Sequence, residues 1–432
     1  MTYFTHRVTK TLGCISALIA SAMAFTACGP QGTSNSAKSE CRTLNADLNW
    51  YGDNREKIDA MLAEYGSCGG SGNVDEGAPV ALFDWDNTVV KNDIGDAMTF
   101  WMLANGKVKQ PENYDWSTIS PYLTKPAQDA LSKACKSLAE PGFALGTNSE
   151  QGTACADEIL SIYTEGTTKD GQEAFSGFNA RRIEPQYAFA AQLLSGYSEA
   201  DIESFARTAR RFNLENEQGA TQKIGTSEVT AWVRYYDQTT DLIDTLRANG
   251  FDVRVISASS QPVAWVWAKE IGFSQDKVMG VLTGRDDKGV ITSELSSCGG
   301  EASMPYIEGK RCRVNEEVFK IPSEKAFEIA DESHRAVFAA GDSDTDVSFM
   351  SDAKGLRLVI NRNKAEVMCR AYHNEDGKWI INPMFIDPKP ALDKSYDCDA
   401  AGRVEEDGST GPLEDAQGQL ITDQEDKVFA EK

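Results

Sequence analysis

Residues 79–90 read PVALFDWDNTVV. An apolar run without helical period reaches Asp84, and polar residues follow at once. That is the pattern of a buried parallel strand passing into a loop. Downstream, VRVISAS (253–259), RAVFAAGDSDTD (335–346) and RLVINRNK (357–364) repeat it. Helical stretches stand between them, TTDLIDTLRANG (239–250) and PVAWVWAKEIG (262–272) among them. Strands alternating with helices imply a parallel α/β sheet. VMGVLTG (278–284) and GVITSEL (289–295), joined by RDDK, read as a small hairpin. From about Asp96 to Tyr236 helix-like stretches dominate, with Gly and Pro punctuation, and few segments alternate as strands do.

Composition narrows the chemistry. The chain has 432 residues, 43 Lys and Arg against 66 Asp and Glu, and a formal net charge of −23. Such acidity argues against nucleic-acid binding, where Lys and Arg must replace phosphate counterions. It argues equally against docking on anionic lipid through a basic face. Of three histidines, His6 lies near the amino terminus, leaving His334 and His373. Little remains for a Ser–His–Asp engine or a His-rich zinc site, so carboxylates are expected to carry any chemistry.

Residues 1–27 contain no acid, begin weakly basic at His6, Arg7 and Lys10, and continue as TLGCISALIASAMAF. Fifteen apolar residues are short for a membrane span and fit a secretory signal. The run ends Phe25-Thr26-Ala27-Cys28, small residues before a cysteine that resemble the lipobox of bacterial lipoproteins. The expectation is a signal peptide over 1–27, lipid on Cys28, and a tether over 28–43. The protein would then face the periplasm or the cell exterior. Beyond Cys14 and Cys28 there are eight cysteines, in the sequence-close couples Cys41/Cys68, Cys135/Cys155, Cys298/Cys312 and Cys369/Cys398. An exported chain suggests disulfides, with nearest-neighbour pairing the expectation among the 105 connectivities possible. From about Asp387 the chain is rich in Asp, Glu, Gly and Pro, and reads as an acidic, partly disordered tail over 388–432.

Ligands of open α/β sheets bind at the carboxyl ends of the strands. Three strands here end in Asp84-Trp85-Asp86-Asn87-Thr88, Ser257-Ala258-Ser259 and Gly341-Asp342-Ser343-Asp344-Thr345-Asp346. Side by side they would crowd carboxylates around one point, which is unfavourable unless a cation or protons compensate. Mg²⁺, a hard ion preferring oxygen ligands, is the natural solution. Asp84 and Asp86 are two apart, so an extended chain would point them the same way. One carboxylate can attack phosphorus while the other serves as acid and then base. A hydroxyl from Ser257 and a lysine ammonium would hold the remaining phosphoryl oxygens.

DWDNT, ISAS and GDSDTD, in that order, resemble motifs I, II and IV of the haloacid dehalogenase superfamily of phosphatases. The resemblance covers roughly Pro79 to Met384. It implies a Rossmann-like, doubly wound core, starting over 44–95 and resuming over 237–387, with a mainly helical cap over 96–236. It also implies Asp84 as nucleophile, Asp86 as general acid/base, and Thr88 and Ser257 as phosphate ligands. Mg²⁺ would lie on Asp84, the Asp86 backbone carbonyl and Asp342, with Asp346 supporting that shell. Motif III needs a lysine. Lys310, in IEGKRC, has the glycine context; Lys320 and Lys325 are the alternatives. DWDNTVVKNDIGDA and LVINRNK look most like the phosphoserine–phosphocholine phosphatase branch. The substrate implied is a small phosphomonoester such as phosphocholine. A quaternary ammonium is held by aromatic faces and nearby carboxylates, and Trp101, Tyr114, Trp116, Trp232, Tyr235 and Tyr236, with Asp93, are the residues offered. Trp265 and Trp267 read as core. The alternative is a non-catalytic lipoprotein that binds a phosphorylated solute in the same pocket.

Overall fold

A computed structural model of the protein describes residues 41–429. The signal segment, Cys28 with its expected lipid, and the tether up to residue 40 lie outside the described residues. The core is a six-stranded, wholly parallel sheet. Its strands are β1 (Val80–Phe83), β2 (Asp252–Ser260), β3 (Val278–Val281), β4 (Phe338–Gly341), β5 (Leu356–Asn361) and β6 (Trp379–Pro383). They lie in the order β6-β5-β4-β1-β2-β3.

Every residue of β1, β4 and β5 is buried, as expected of a parallel sheet covered on both faces. Alternation then divides the core in two. Ala81 and Phe83 join one apolar cluster with Ile58, Leu62, Leu242, Leu246 and Val263, from the helices Asn54–Tyr65, Asp237–Ala248 and Gln261–Ala268. Val80 and Leu82 join the other, with Phe349, Met350, Val367 and Met368 from the helices Val347–Asp352 and Ala365–His373. Fully burying one such side chain is worth about 1.5–3 kcal/mol. The central strands are therefore held from both sides, and their polar carboxyl ends are held with them.

The chain leaves the core after β1 and returns before Asp237. A short antiparallel ladder, Val90–Lys91 against Arg234–Tyr235, ties the two crossings together. Five helices occupy the insertion: Ile94–Ala104, Lys125–Cys135, Glu150–Glu165, Pro185–Gln192 and Glu199–Glu215. A hairpin, Thr221–Ile224 with Ser227–Thr230, follows them.

The hairpin expected over 278–295 is divided. Val278–Val281 is buried throughout and joins the core sheet as its edge strand. Thr283–Arg285 pairs instead with Ile291–Leu295. The partly disordered tail expected over 388–432 is also corrected for its described residues. Residues 388–429 pack on the core through buried Tyr396, Cys398, Leu413 and Ile421, and Cys398 is bonded to Cys369. A few apolar anchors and one covalent tie hold a segment whose average composition is polar. All four sequence-neighbour disulfides are present. Among the described residues no helix is long and apolar enough to cross a membrane.

Candidate active site

The carboxyl ends of β1, β2 and β4 meet at one place. The Asp84 N–H donates to the Ala340 carbonyl at 2.9 Å, which carries β1–β4 pairing one residue past the strand. The chain then turns: the N–H groups of Thr88, Val89 and Val90 all reach the Trp85 carbonyl, and Asn87 is left-handed at φ 60°. Trp85 is fully buried and anchors the turn. Thr88 is thereby brought back, and its hydroxyl donates to Asp84 Oδ2 at 3.0 Å, with Asp342 Oδ1 at 3.4 Å.

Asp86 leaves in another direction. Its Oδ1 accepts from the Ile94 N–H at 2.7 Å, and its Oδ2 accepts from the Ser259 hydroxyl at 3.0 Å. The turn thus sends Asp84 and Asp86 to different neighbours, whereas an extended chain would have pointed them together. Ser257 is completely buried at the end of β2, where its hydroxyl accepts from the Ser259 N–H at 3.0 Å.

Lys310 lies on the short helix Glu308–Arg313 and is completely buried. Its ammonium donates to Asp84 Oδ1 at 2.6 Å and to Asp346 Oδ1 at 2.5 Å. Gly309 makes this approach possible, because a Cβ there would fall 1.9 Å from the Met304 carbonyl oxygen. Lys320 instead donates to the Glu317 carbonyl at the surface, and Lys325 lies exposed in the turn Ser323–Lys325. The structure brings Lys310, and neither of the other two, to Asp84.

Asp346 Oδ2 accepts from the backbone N–H groups of Asp342 and Ser343, at 3.0 and 3.1 Å, and so shapes the loop after β4. A Cβ on Gly341 would meet this carboxylate at 2.6 Å, so glycine is what lets the loop fold over Asp346. Both Asp346 oxygens are occupied. Asp342 Oδ2 accepts from the Arg362 guanidinium at 2.6 Å, leaving Oδ1 toward Thr88 and Asp84.

The electrostatics are those of acids crowded out of water. Burial first, then the Asp346 charge, pushes the Asp84 carboxyl well above its ordinary range, against the pull of Lys310. Burial, then Asp93 and Asp84, does the same to Asp86. Burial also raises Asp342, against Arg362. Burial opposes the charge on Lys310, but Asp346 and Asp84 outweigh it and hold the ammonium charged. Asp84, Asp342 and Asp346 each offer an oxygen, and these oxygens lie within 4.8 Å of one another. Such an all-oxygen donor set fits a hard divalent cation.

A cleft of about 590 Å³ opens between core and cap, lined by Asn87, Asp93, Asp96, Tyr187, Trp232 and Arg362. A narrower one of about 410 Å³ adjoins Asp86 and Ser259, with Met98, Tyr163, Tyr187 and Leu194 as its walls. Of the aromatic residues singled out from sequence, Trp232 reaches the cleft. Trp116 and Tyr236 are core, Trp101 lies on Phe205, Tyr235 lies against Trp85 and Trp267, and Tyr114 bonds Glu140 at the surface. Tyr163 and Tyr187 lie outside every motif, and Asp96, Ser259 and Arg362 lie in quoted stretches without a role assigned to them. Arg362 carried a signal: a cation directly after the apolar strand that neighbours the Asp342 strand.

A family model described as haloacid dehalogenase-like hydrolase matches residues 167–351. That range holds Ser257, Lys310, Asp342 and Asp346 and begins after Asp84 and Asp86. A conserved protein of unknown function from Anaerococcus prevotii DSM 20548 shows the same fold, with TM-score 0.59 and 18% identity over 78% of this chain and 93% of that one. A protein of unknown function from Bordetella pertussis Tohama I has TM-score 0.41 and 14% identity, over 71% and 98%. A substrate-bound phosphoserine phosphatase complex has TM-score 0.30 and 13% identity, over 66% and 86%. No curated protein matches the sequence. The three strand-end motifs thus stand in order on a parallel core, and residues 167–351, which hold two of them, are similar to haloacid dehalogenase-like hydrolases.

Proposed function

We propose that the protein is a Mg²⁺-dependent phosphomonoesterase acting through an aspartyl-phosphate. One observation carries the proposal: a buried Lys310 ammonium and the Thr88 hydroxyl hold the two oxygens of Asp84 at a strand end and so fix its direction. An Asp84 oxygen attacks phosphorus, and the bond from phosphorus to the alcohol oxygen breaks. Asp86 gives its proton to that oxygen, a task suited to a carboxyl that burial pushes above its ordinary range. Asp86 then takes a proton from water as the water attacks the phosphorus. The bond to Asp84 breaks, releasing phosphate. Ser257, Thr88 and Lys310 hold the phosphoryl oxygens. A Mg²⁺ ion held by Asp84, Asp342 and the Asp86 carbonyl, with Asp346 behind them, would offset the crowded charge and polarise the phosphoryl group.

The substrate is a small phospho-alcohol, with phosphocholine the leading candidate. Asp93 and Asp96 beside Tyr187 and Trp232 suit a cationic head group. We also propose that the chain is exported and held to a membrane by lipid on Cys28; four disulfides support an oxidising destination.

The test is release of p-nitrophenol from p-nitrophenyl phosphate with and without Mg²⁺, then a panel of phosphocholine, phosphoethanolamine and phosphoserine. Asp84→Asn should abolish turnover. Asp86→Asn should slow it severely while substrate still binds. Full activity in Asp84→Asn, with deamidation excluded by mass, would sink the mechanism.

A further inference from the structure

Arg362 has no part in the chemistry above, yet it touches the proposed cation shell. Its guanidinium donates to Asp342 Oδ2 at 2.6 Å, and its side chain lines the cleft between core and cap. It is the second positive charge of the site. In the ion-paired cluster Asp84, Asp342 and Asp346 stand against Lys310 and Arg362, and Asp86 and Asp93 add negative charge nearby. A divalent cation would offset part of that surplus. Removing Arg362 would take away one of the two side-chain cations that, with such an ion, draw a phosphate dianion to this place.

The loop carrying Arg362 is held with unusual care. Asn361 donates to the Val428 carbonyl at 2.7 Å and to Asp426 Oδ1 at 3.3 Å. Tyr372 donates to the same Asp426 oxygen at 2.6 Å. Asn363 is left-handed at φ 61°, donates its side-chain amide to the Pro390 carbonyl, and accepts from Tyr396. Both neighbours of Arg362 are therefore fastened by the carboxyl-terminal segment, which strand order alone does not require.

We propose that Arg362 is a positioning and charge-balancing residue that trades cation affinity for phosphate affinity, and that residues 390–428 hold it in place. This rests on the cation and phosphate placement proposed above. The sign follows from charge. A unit positive charge one carboxylate away repels a divalent ion; we take this repulsion to exceed what orienting Asp342 returns, against the usual sense of outer-shell changes, which cost metal affinity. The same charge attracts the phosphate dianion.

The experiment measures Mn²⁺ binding by electron paramagnetic resonance, and inorganic phosphate binding by calorimetry at saturating Mg²⁺, on the full chain. Arg362→Ala should bind Mn²⁺ about tenfold more tightly and phosphate about tenfold more weakly, the scale of outer-shell effects. Arg362→Lys should restore most of both. Asp426→Ala should move both constants the same way as Arg362→Ala but less. A merely structural lesion weakens both ligands together, so that outcome, or no change in either, overturns the proposal. Asp342→Asn is the separate control. If wild-type Mn²⁺ binding is absent or indifferent to Asp342→Asn, it is the underlying cation reading that fails.

Discussion

Replacing Lys310 by Met tests how the site holds its acids. The side chain is completely buried, and its ammonium lies 2.6 Å from Asp84 and 2.5 Å from Asp346. At an effective dielectric of 20, each contact carries about 6 kcal/mol of gross attraction. Desolvating three ions offsets most of this, at several kcal/mol for each. Removing the lysine keeps the desolvation of both carboxylates and loses the attraction. Truncation of a buried pair costs about 3–5 kcal/mol, and Lys310→Met is expected to lose that much at pH 7.5. The loss should depend on pH. Without Lys310 the Asp84 carboxyl, already raised by burial, loses the charge that pulls it down, and a raised group stabilises below its unfolded value and loses that contribution as pH rises through its folded value. The variant should therefore approach wild-type stability near pH 5 and fall away toward pH 8. Urea titration followed by tryptophan fluorescence at both pH values measures it. Asp346→Asn placed on top of Lys310→Met should recover part of the deficit at pH 7.5. A Lys310→Met protein within 1 kcal/mol of wild type at pH 7.5 would refute the view that this ammonium is what keeps the acids together.

Other consequences are independent. Cys298–Cys312 closes a loop that ends on the Lys310 helix, so replacing both cysteines by Ser should cost about 3 kcal/mol of stability. It should also lower kcat/KM more than the same change at Cys135–Cys155 in the cap; equal effects on activity would count against a role in placing Lys310. Asp96 is pushed up to about 7, by burial first and then by Asp93, while Tyr163 donates to it at 2.6 Å. Its contribution to stability is present below the unfolded value near 3.8 and is lost as pH rises through about 7. From pH 5 to 8 the stability of Asp96→Asn should therefore shift in its favour relative to wild type, and a gap constant with pH is the contrary result.

How much of this was legible in the sequence depends on what each residue's position rests on. Buried parallel strands write themselves as apolar runs, so β1, β2, β4 and β5 could be read, and the polar residues after them named Asp84, Asp86, Ser257, Asp342 and Asp346. Lys310 could not be separated from Lys320 and Lys325 by counting residues to Asp342. What selects it is the close approach at residue 309, where a Cβ would fall 1.9 Å from the Met304 carbonyl oxygen, a fact of three dimensions. Trp116 and Trp232 look alike in sequence, yet one is core and the other lines the cleft. The tail misled because averaging over 388–432 hid Tyr396, Cys398, Leu413 and Ile421, which supply its attachment. Charge misled in the same way. A net −23 poses the problem of binding an anion, but it sums over a surface where most charges are solvated and screened beyond about 8–10 Å. At contact distance Lys310 and Arg362 are ion-paired with Asp84, Asp346 and Asp342. A single arginine, fastened by the carboxyl-terminal segment, acts there at contact distance, where the excess of acids over the rest of the chain is largely screened.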